Sequence, residues 1–179
     1  MQLNHNSVPA IAYPGTRYGL STTRTTISRI CETAAGARAG TYMVPGTDGE
    51  LQAVEVASTG QISSGLGFGV VAYDMTKEPA RTAAAIAAGN EYDTLDALPI
   101  ITKGKVWVLC DAGAVITANS LAFVRFVTGA GGTQRGAFRQ DVDTASAIGL
   151  PNGSGIFRSA HKDVSVFGTT YRIALLELT

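Results

Sequence analysis

Two segments of this chain are apolar on both strand faces. In Lys103 to Asp111, KGKVWVLCD, the side chains of Val106, Val108 and Cys110 alternate with those of Trp107 and Leu109. In Leu121 to Thr128, LAFVRFVT, Leu121, Phe123 and Val127 oppose Ala122, Val124 and Phe126. A sheet with one wet face alternates apolar with polar residues. Both segments therefore predict strands covered on two sides, and in a chain of 179 residues the expected second cover is another subunit. Trp107, Leu109, Phe123 and Phe126 are the candidate interface residues here. Trp107, the one tryptophan, reads either as core or as the anchor of such an interface.

Further strands are predicted at Ile27–Glu32, Leu51–Ala57, Phe68–Tyr73, Ala114–Thr117, Ala137–Asp143, Ile156–Ala160 and Tyr171–Leu178. Turn residues such as Thr47-Asp48-Gly49 bracket them. Short strands at this spacing predict a mostly β protein with little helix: an antiparallel β-sandwich or a jelly-roll or barrel-like domain. ARTAAAIAAG, residues 80–89, is ambiguous. Its alanines favour a helix, with Pro79 at the start and Gly89 at the end. The strands around it favour a short strand. Tyr92–Leu98 is a second candidate helix.

Residues 1–26 sustain no period of 2 or 3.6 and carry Pro9, Pro14, Gly15 and Gly19. They predict an extended arm preceding a β-rich domain over 27–179. Ile11, Tyr13, Tyr18 and Leu20 give this arm a reason to lie on a surface, expected to be that of a neighbouring subunit.

Composition points the same way. Charged residues make up 16% of the chain, against about 25% in ordinary soluble domains, which suggests surface buried in an assembly. Fourteen basic and fourteen acidic residues cancel, and the basic ones are spread singly along the sequence. That argues against direct nucleic-acid binding. Cys31 and Cys110 form no CxxC pattern and are expected as buried free thiols in a reducing compartment. The start of the chain lacks the pattern of a secretory signal, and no stretch approaches about 18 apolar residues. Synthesis in a cytoplasm, with no membrane partner, is the expectation.

Little in the sequence speaks for chemistry. GLGFG and GAGG match neither the P-loop nor the dinucleotide fingerprint. His5 and His161 are too few and too separated for a zinc motif and are expected in solvent. Asp141 and Asp143 share a strand face, a spacing that suits a metal or an acid–base pair, but no third ligand is identifiable. No G-x-S-x-G elbow occurs, and Asn152-Gly153-Ser154 reads as a turn. No enzyme activity, cofactor or metal is expected.

The order GVVAY, ALPIITKGKVWVLCDAGAVITANSLAFVRF, GAFRQ and YRIALLELT resembles tailed-bacteriophage structural cement proteins, which decorate the outside of a major capsid shell. The matching positions are Gly104, Val106, Trp107 and Val108, then Leu121–Arg125, Gly136–Arg139 and Leu175–Leu178, about the last 110 residues. The resemblance implies a β-rich, non-enzymatic protein that oligomerises as a dimer or trimer and binds the phage major capsid protein. It implies a place on the outer capsid surface of the virion, bridging capsomers against internal DNA pressure, after synthesis in the bacterial host. It also favours a strand for residues 80–89. Another virion component (tail or head-completion), or a small jelly-roll enzyme or sugar-binding module, are the competing readings.

Overall fold

A computed structural model describes residues 12–18, 25–63, 67–74, 82–83, 89–128, 134–143, 145–166 and 169–179. Eleven strands are formed among them: β1 (Thr25–Cys31), β2 (Tyr42–Pro45), β3 (Gln52–Glu55), β4 (Gly69–Val71), β5 (Ala97–Leu109), β6 (Phe123–Arg125), β7 (Phe138–Arg139), β8 (Ala147–Gly149), β9 (Gly155–Phe157), β10 (Lys162–Val166) and β11 (Thr169–Leu178). One short helix, α1 (Thr59–Ser63), sinks Ile62 into the core.

The fold is organised by β5, a strand of 13 residues. Its first half closes a five-stranded mixed barrel in the order β1-β3-β2-β4-β5, with β5 pairing back onto β1. Only the β1–β3 pair is parallel. The second half of β5 leaves the barrel and pairs with β11, which pairs in turn with β10 and β9. Gly104, at φ +111°, stands where the two halves meet, a backbone conformation that an L side chain resists. A separate three-stranded sheet runs β7-β6-β8.

Alternation along the barrel strands divides the apolar residues between two cores. Cys31, Met43, Ala53, Val71, Leu98 and Ile100 meet Tyr92 in the smaller one, to which each barrel strand contributes. Their neighbours Tyr42, Val44, Val56, Val70, Ala72 and Ile101 point the other way, into the larger core. There Val106, Val108 and Cys110 of β5 and its end meet Ala174, Leu176 and Leu178 of β11, with Ala122, Val124, Phe126 and Phe138 around the small sheet. Both cysteines are free and buried, as the sequence suggests. Burial pushes the Cys31 thiol up to about 11 and moves Cys110 in the same direction.

The second face of β5 is covered within the chain at its Leu109 end and half-covered at Trp107. Leu109, Ile173 and Leu175 are buried in the isolated chain, so they need no second subunit. Residues 12–18 provide part of the cover. Gly15 N–H donates to Trp107 O at 2.6 Å, Trp107 N–H to Thr16 O at 2.9 Å, and Tyr18 N–H to Lys105 O at 3.1 Å. Of the segment expected as an arm, this described part is docked on its own domain, and Thr25 and Thr26 already belong to β1. The rest, with Ile11 and Leu20, lies outside the described residues.

Other expectations need correcting. LAFVRFVT is a strand over three residues only, and Leu121 and Val127 on its second face are exposed. Ala114–Thr117 is not a strand. Tyr92–Leu98 is not a helix: Tyr92 bridges to Ala37, and Ala97 and Leu98 open β5. Most of residues 80–89 lie outside the described residues. β8 and β10 escaped sequence reading because each is short and lacks a full apolar alternation. His161 is not a solvent side chain; its Nδ1 accepts from Ile116 N–H at 3.0 Å. Asn152 falls in a 3-10 turn over Pro151–Gly153, as expected.

One buried ion network ties the small sheet to the end of β5. Asp111, 4% exposed, receives Arg125 Nη1 at 2.9 Å and lies 3.8 Å from Arg139 Nη1. Arg139 also holds Asp141 at 2.5 Å and Asp143 at 3.2 Å. Burial raises the Asp111 carboxyl, while the two guanidiniums pull it back down.

Two predictions follow from these contacts. Asp111→Ala strands the Arg125 guanidinium, while Arg139 keeps Asp141 and Asp143, so it should destabilise the fold by about 3 kcal/mol in urea titrations; a cost within experimental error would show the network to be ornamental. Gly15 has φ +79°, and an added Cβ would lie 2.7 Å from Tyr73 N and Val71 O. Gly15→Ala should therefore cost about 1–3 kcal/mol, whereas wild-type stability would mean that residues 12–18 are not docked in the free protein.

Candidate interaction surface

The side of the β5–β11–β10 sheet away from the larger core presents Lys105 and Trp107, two residues apart on one face. The Trp107 ring is half-buried. Lys162 Nζ, from β10, sits 4.1 Å from its centroid, and the Tyr18 ring meets it edge-on at 6.2 Å. Leu175 lies directly across from Trp107, and Glu177 directly across from Lys105. Glu177 accepts from Arg158 Nε at 2.5 Å. Lys103, exposed, precedes the Gly104 bend. Lys162 thus stands over the Trp107 ring, with Lys105 on the same strand face, Arg158 beside the β11 end and Lys103 beyond the Gly104 bend; Glu177 is the carboxylate paired across from Lys105, and Tyr18 is 50% exposed. Basic residues that stand singly in sequence are gathered here because three strands and the segment 15–18 run side by side.

Tyr13 works differently. Its ring packs 4.4 Å from Tyr73 and 5.3 Å from Tyr171, and its hydroxyl donates to Glu91 Oε1 at 2.7 Å. The other carboxylate oxygen, Glu91 Oε2, accepts from Ala39 N–H at 2.9 Å. Burial and the facing Glu91 carboxylate raise the Tyr13 phenol well above its ordinary value. Tyr13 therefore fastens residues 12–18 to the domain.

The other candidate residues divide. Leu109 and Phe126 are buried in the single chain, and Phe123 is half-buried with its ring against Gly149. Of the eight, only Tyr18 and Trp107 are both described and placed side by side on an accessible face. Asp141 and Asp143, which share a face by sequence, are both engaged by Arg139. Among the described residues no group of three His, Cys, Asp or Glu side chains could hold a metal ion. No described helix is long and apolar enough to cross a membrane.

A second patch was missed by sequence reading. At the Ala97 end of β5, Leu51 and Leu95 are 60% and 75% exposed, with Ile30 beside them. Ile30 N–H donates to Leu51 O, and Leu95 N–H to Cys31 O, so the three aliphatics belong to one end of the barrel. Leu95 holds φ +67°, which is unusual for a residue without local hydrogen-bonding side-chain atoms. Glu32, two residues after Ile30, and Asp48 and Glu50, just before Leu51, flank the patch along the chain. Glu32 accepts from the Thr47 N–H and hydroxyl, which lowers its carboxyl, and Asp48 Oδ1 accepts from Glu50 and Leu51 N–H. The available signal was a leucine standing alone inside each of two polar turns, TDGEL and YDTLD.

Trp107→Ala should cost roughly 2–3 kcal/mol, below the ~3–5 kcal/mol of a fully buried ring. Lys162→Ala should cost about 0.5–1 kcal/mol through the lost cation–π contact. Chemical denaturation measures both. A Trp107 cost in the fully buried range would place the ring in the core rather than on an accessible face.

Comparison with known proteins bears on the fold and the family. A chain from the structure entitled "The capsid of Myoviridae Phage XM1" superposes with a TM-score of 0.61 at 12% identity, covering 97% of each chain. At that identity the likeness is one of fold. A search of the curated proteins gave no match. The family comparison covers every residue, 1–179, and on it this chain belongs to the structural cement protein family (E217 gp24/Pam3 gp6).

Proposed function

We propose that this protein binds the outer surface of a phage major capsid shell, bridges neighbouring capsomers and holds the head together against the pressure of packaged DNA. It does so as a non-enzymatic virion component and in contact with further copies of itself. Family membership over the full chain is the observation that carries this reading. Physical features support it. The body closes both of its cores without help, yet leaves Tyr18, Leu51, Leu95, Val115, Leu121 and Val142 exposed. Large apolar groups spread over several faces suit a block with more than one neighbour. A protein that binds only the assembled shell stabilises that state by mass action, and many copies turn weak contacts into a durable coat.

The test is co-sedimentation with empty mature shells of the cognate phage, followed by heating of DNA-filled heads with and without the protein. The protein should pellet with shells and saturate, and coated heads should release DNA at a higher temperature. Failure to pellet would refute shell binding. Saturable binding with unchanged DNA release would refute the role against pressure.

A further inference from the structure

We infer that neighbouring copies of this protein dock the basic aromatic face of one onto the acidic aliphatic end of the next. The inference rests on the reading of the protein as a shell-bound block and names which surfaces join the blocks.

The two patches have the same build and opposite sign. Tyr18 and Trp107 form an apolar centre, with Lys103, Lys105, Arg158 and Lys162 around it and Glu177 as the one carboxylate. Ile30, Leu51 and Leu95 form the other centre, with Glu32, Asp48 and Glu50 around it. Apolar groups inside a charged rim are the usual anatomy of a protein interface. Opposite rims bring the right surfaces together and reject like pairs. None of Lys103, Lys105, Glu32, Asp48 and Glu50 has an ion-pair partner among the described residues; Glu32 and Asp48 accept hydrogen bonds from neutral groups only and so keep an unbalanced charge toward a neighbour.

The placement also forbids the chain from satisfying itself. β1 runs between the two patches: Thr25 pairs with Lys103 at one end, and Ile30 with Ala97 at the other. The five residue steps from Thr25 to Ile30 span about 17 Å along a strand. The barrel wall therefore holds the patches apart, and only a second copy brings them together. The whole chain has zero net charge, so the complementarity lies in how charge is distributed, not in its total. Each apolar centre consists of only two or three side chains, whereas a stable free complex buries ~1,200–2,000 Å². The contact is therefore weak in solution and gains strength when copies are held side by side on a shell. Two unlike patches either close as a two-fold pair that makes the contact twice or continue from copy to copy.

The experiment pairs charge reversal with cross-linking. Variant one is Lys105→Glu with Lys162→Glu; variant two is Asp48→Lys with Glu50→Lys. Both must keep the wild-type melting transition; if either does not, the milder pair Lys103→Glu and Glu50→Lys takes their place. In low salt, sedimentation should show wild-type self-association weakened roughly tenfold or more in each variant alone and recovered when the two are mixed. On coated heads, a zero-length carbodiimide reagent should join Lys105 or Lys162 of one copy to Asp48 or Glu50 of another. Cross-links from both patches to the shell protein alone would overturn the inference. Unchanged association of both variants, or no recovery on mixing, would do so too. Shell pelleting measured alongside keeps the two questions apart: loss of shell binding by the wild type refutes the function, not this contact.

Discussion

Everything in this structure depends on β5 being bonded along both edges. Its first half lies between β1 and β4, and its second half between β11 and residues 15–18. A strand of about 43 Å with a free edge would invite pairing with other chains. Here each half finds a partner on either side, and its side chains enter two different cores. Leu98 and Ile100 close the barrel, whereas Val106 and Val108 hold the larger core. Gly104 permits the change of direction between them. Barrel and open sheet are therefore one mechanical unit, a property that suits the proposed role.

The N-terminal segment is the less obvious half of that arrangement. Residues 12–18 lack periodicity because they form a short edge, bent at Pro14–Gly15 and fastened by Tyr13. Its docking sets Tyr18 beside Trp107 and so creates the aromatic centre of the basic face. Local structure at residues 12–18 thus reaches directly into the proposed role.

The two-sided apolar character of KVWVLC was legible in the sequence, and it located the strand on which the fold turns. What covers its second face was not legible, because the cover comes from a segment about 90 residues earlier and from a β10 with no strong pattern of its own. LAFVRFVT misled for the opposite reason: its apolar second face is real, but Leu121 and Val127 on it are left in solvent. The basic face was invisible because Lys103, Lys105, Arg158 and Lys162 become neighbours only through strand pairing. The resemblance carried by Gly104–Val108 and the C-terminal strand was well placed, since those residues form the β5–β11 ladder itself.

The central claim is that the free chain already bonds β5 along both edges and buries its second face except at Lys105 and Trp107, leaving assembly to the surface patches. Amide hydrogen exchange on the isolated protein tests it most directly. The account predicts that Lys105 to Leu109 exchange only through global unfolding, and that the amides of Gly15 and Tyr18 are protected with them. Rapid exchange of these amides in the free chain, slowed only on the assembled shell, would contradict it and return the cover of β5 to a neighbouring subunit.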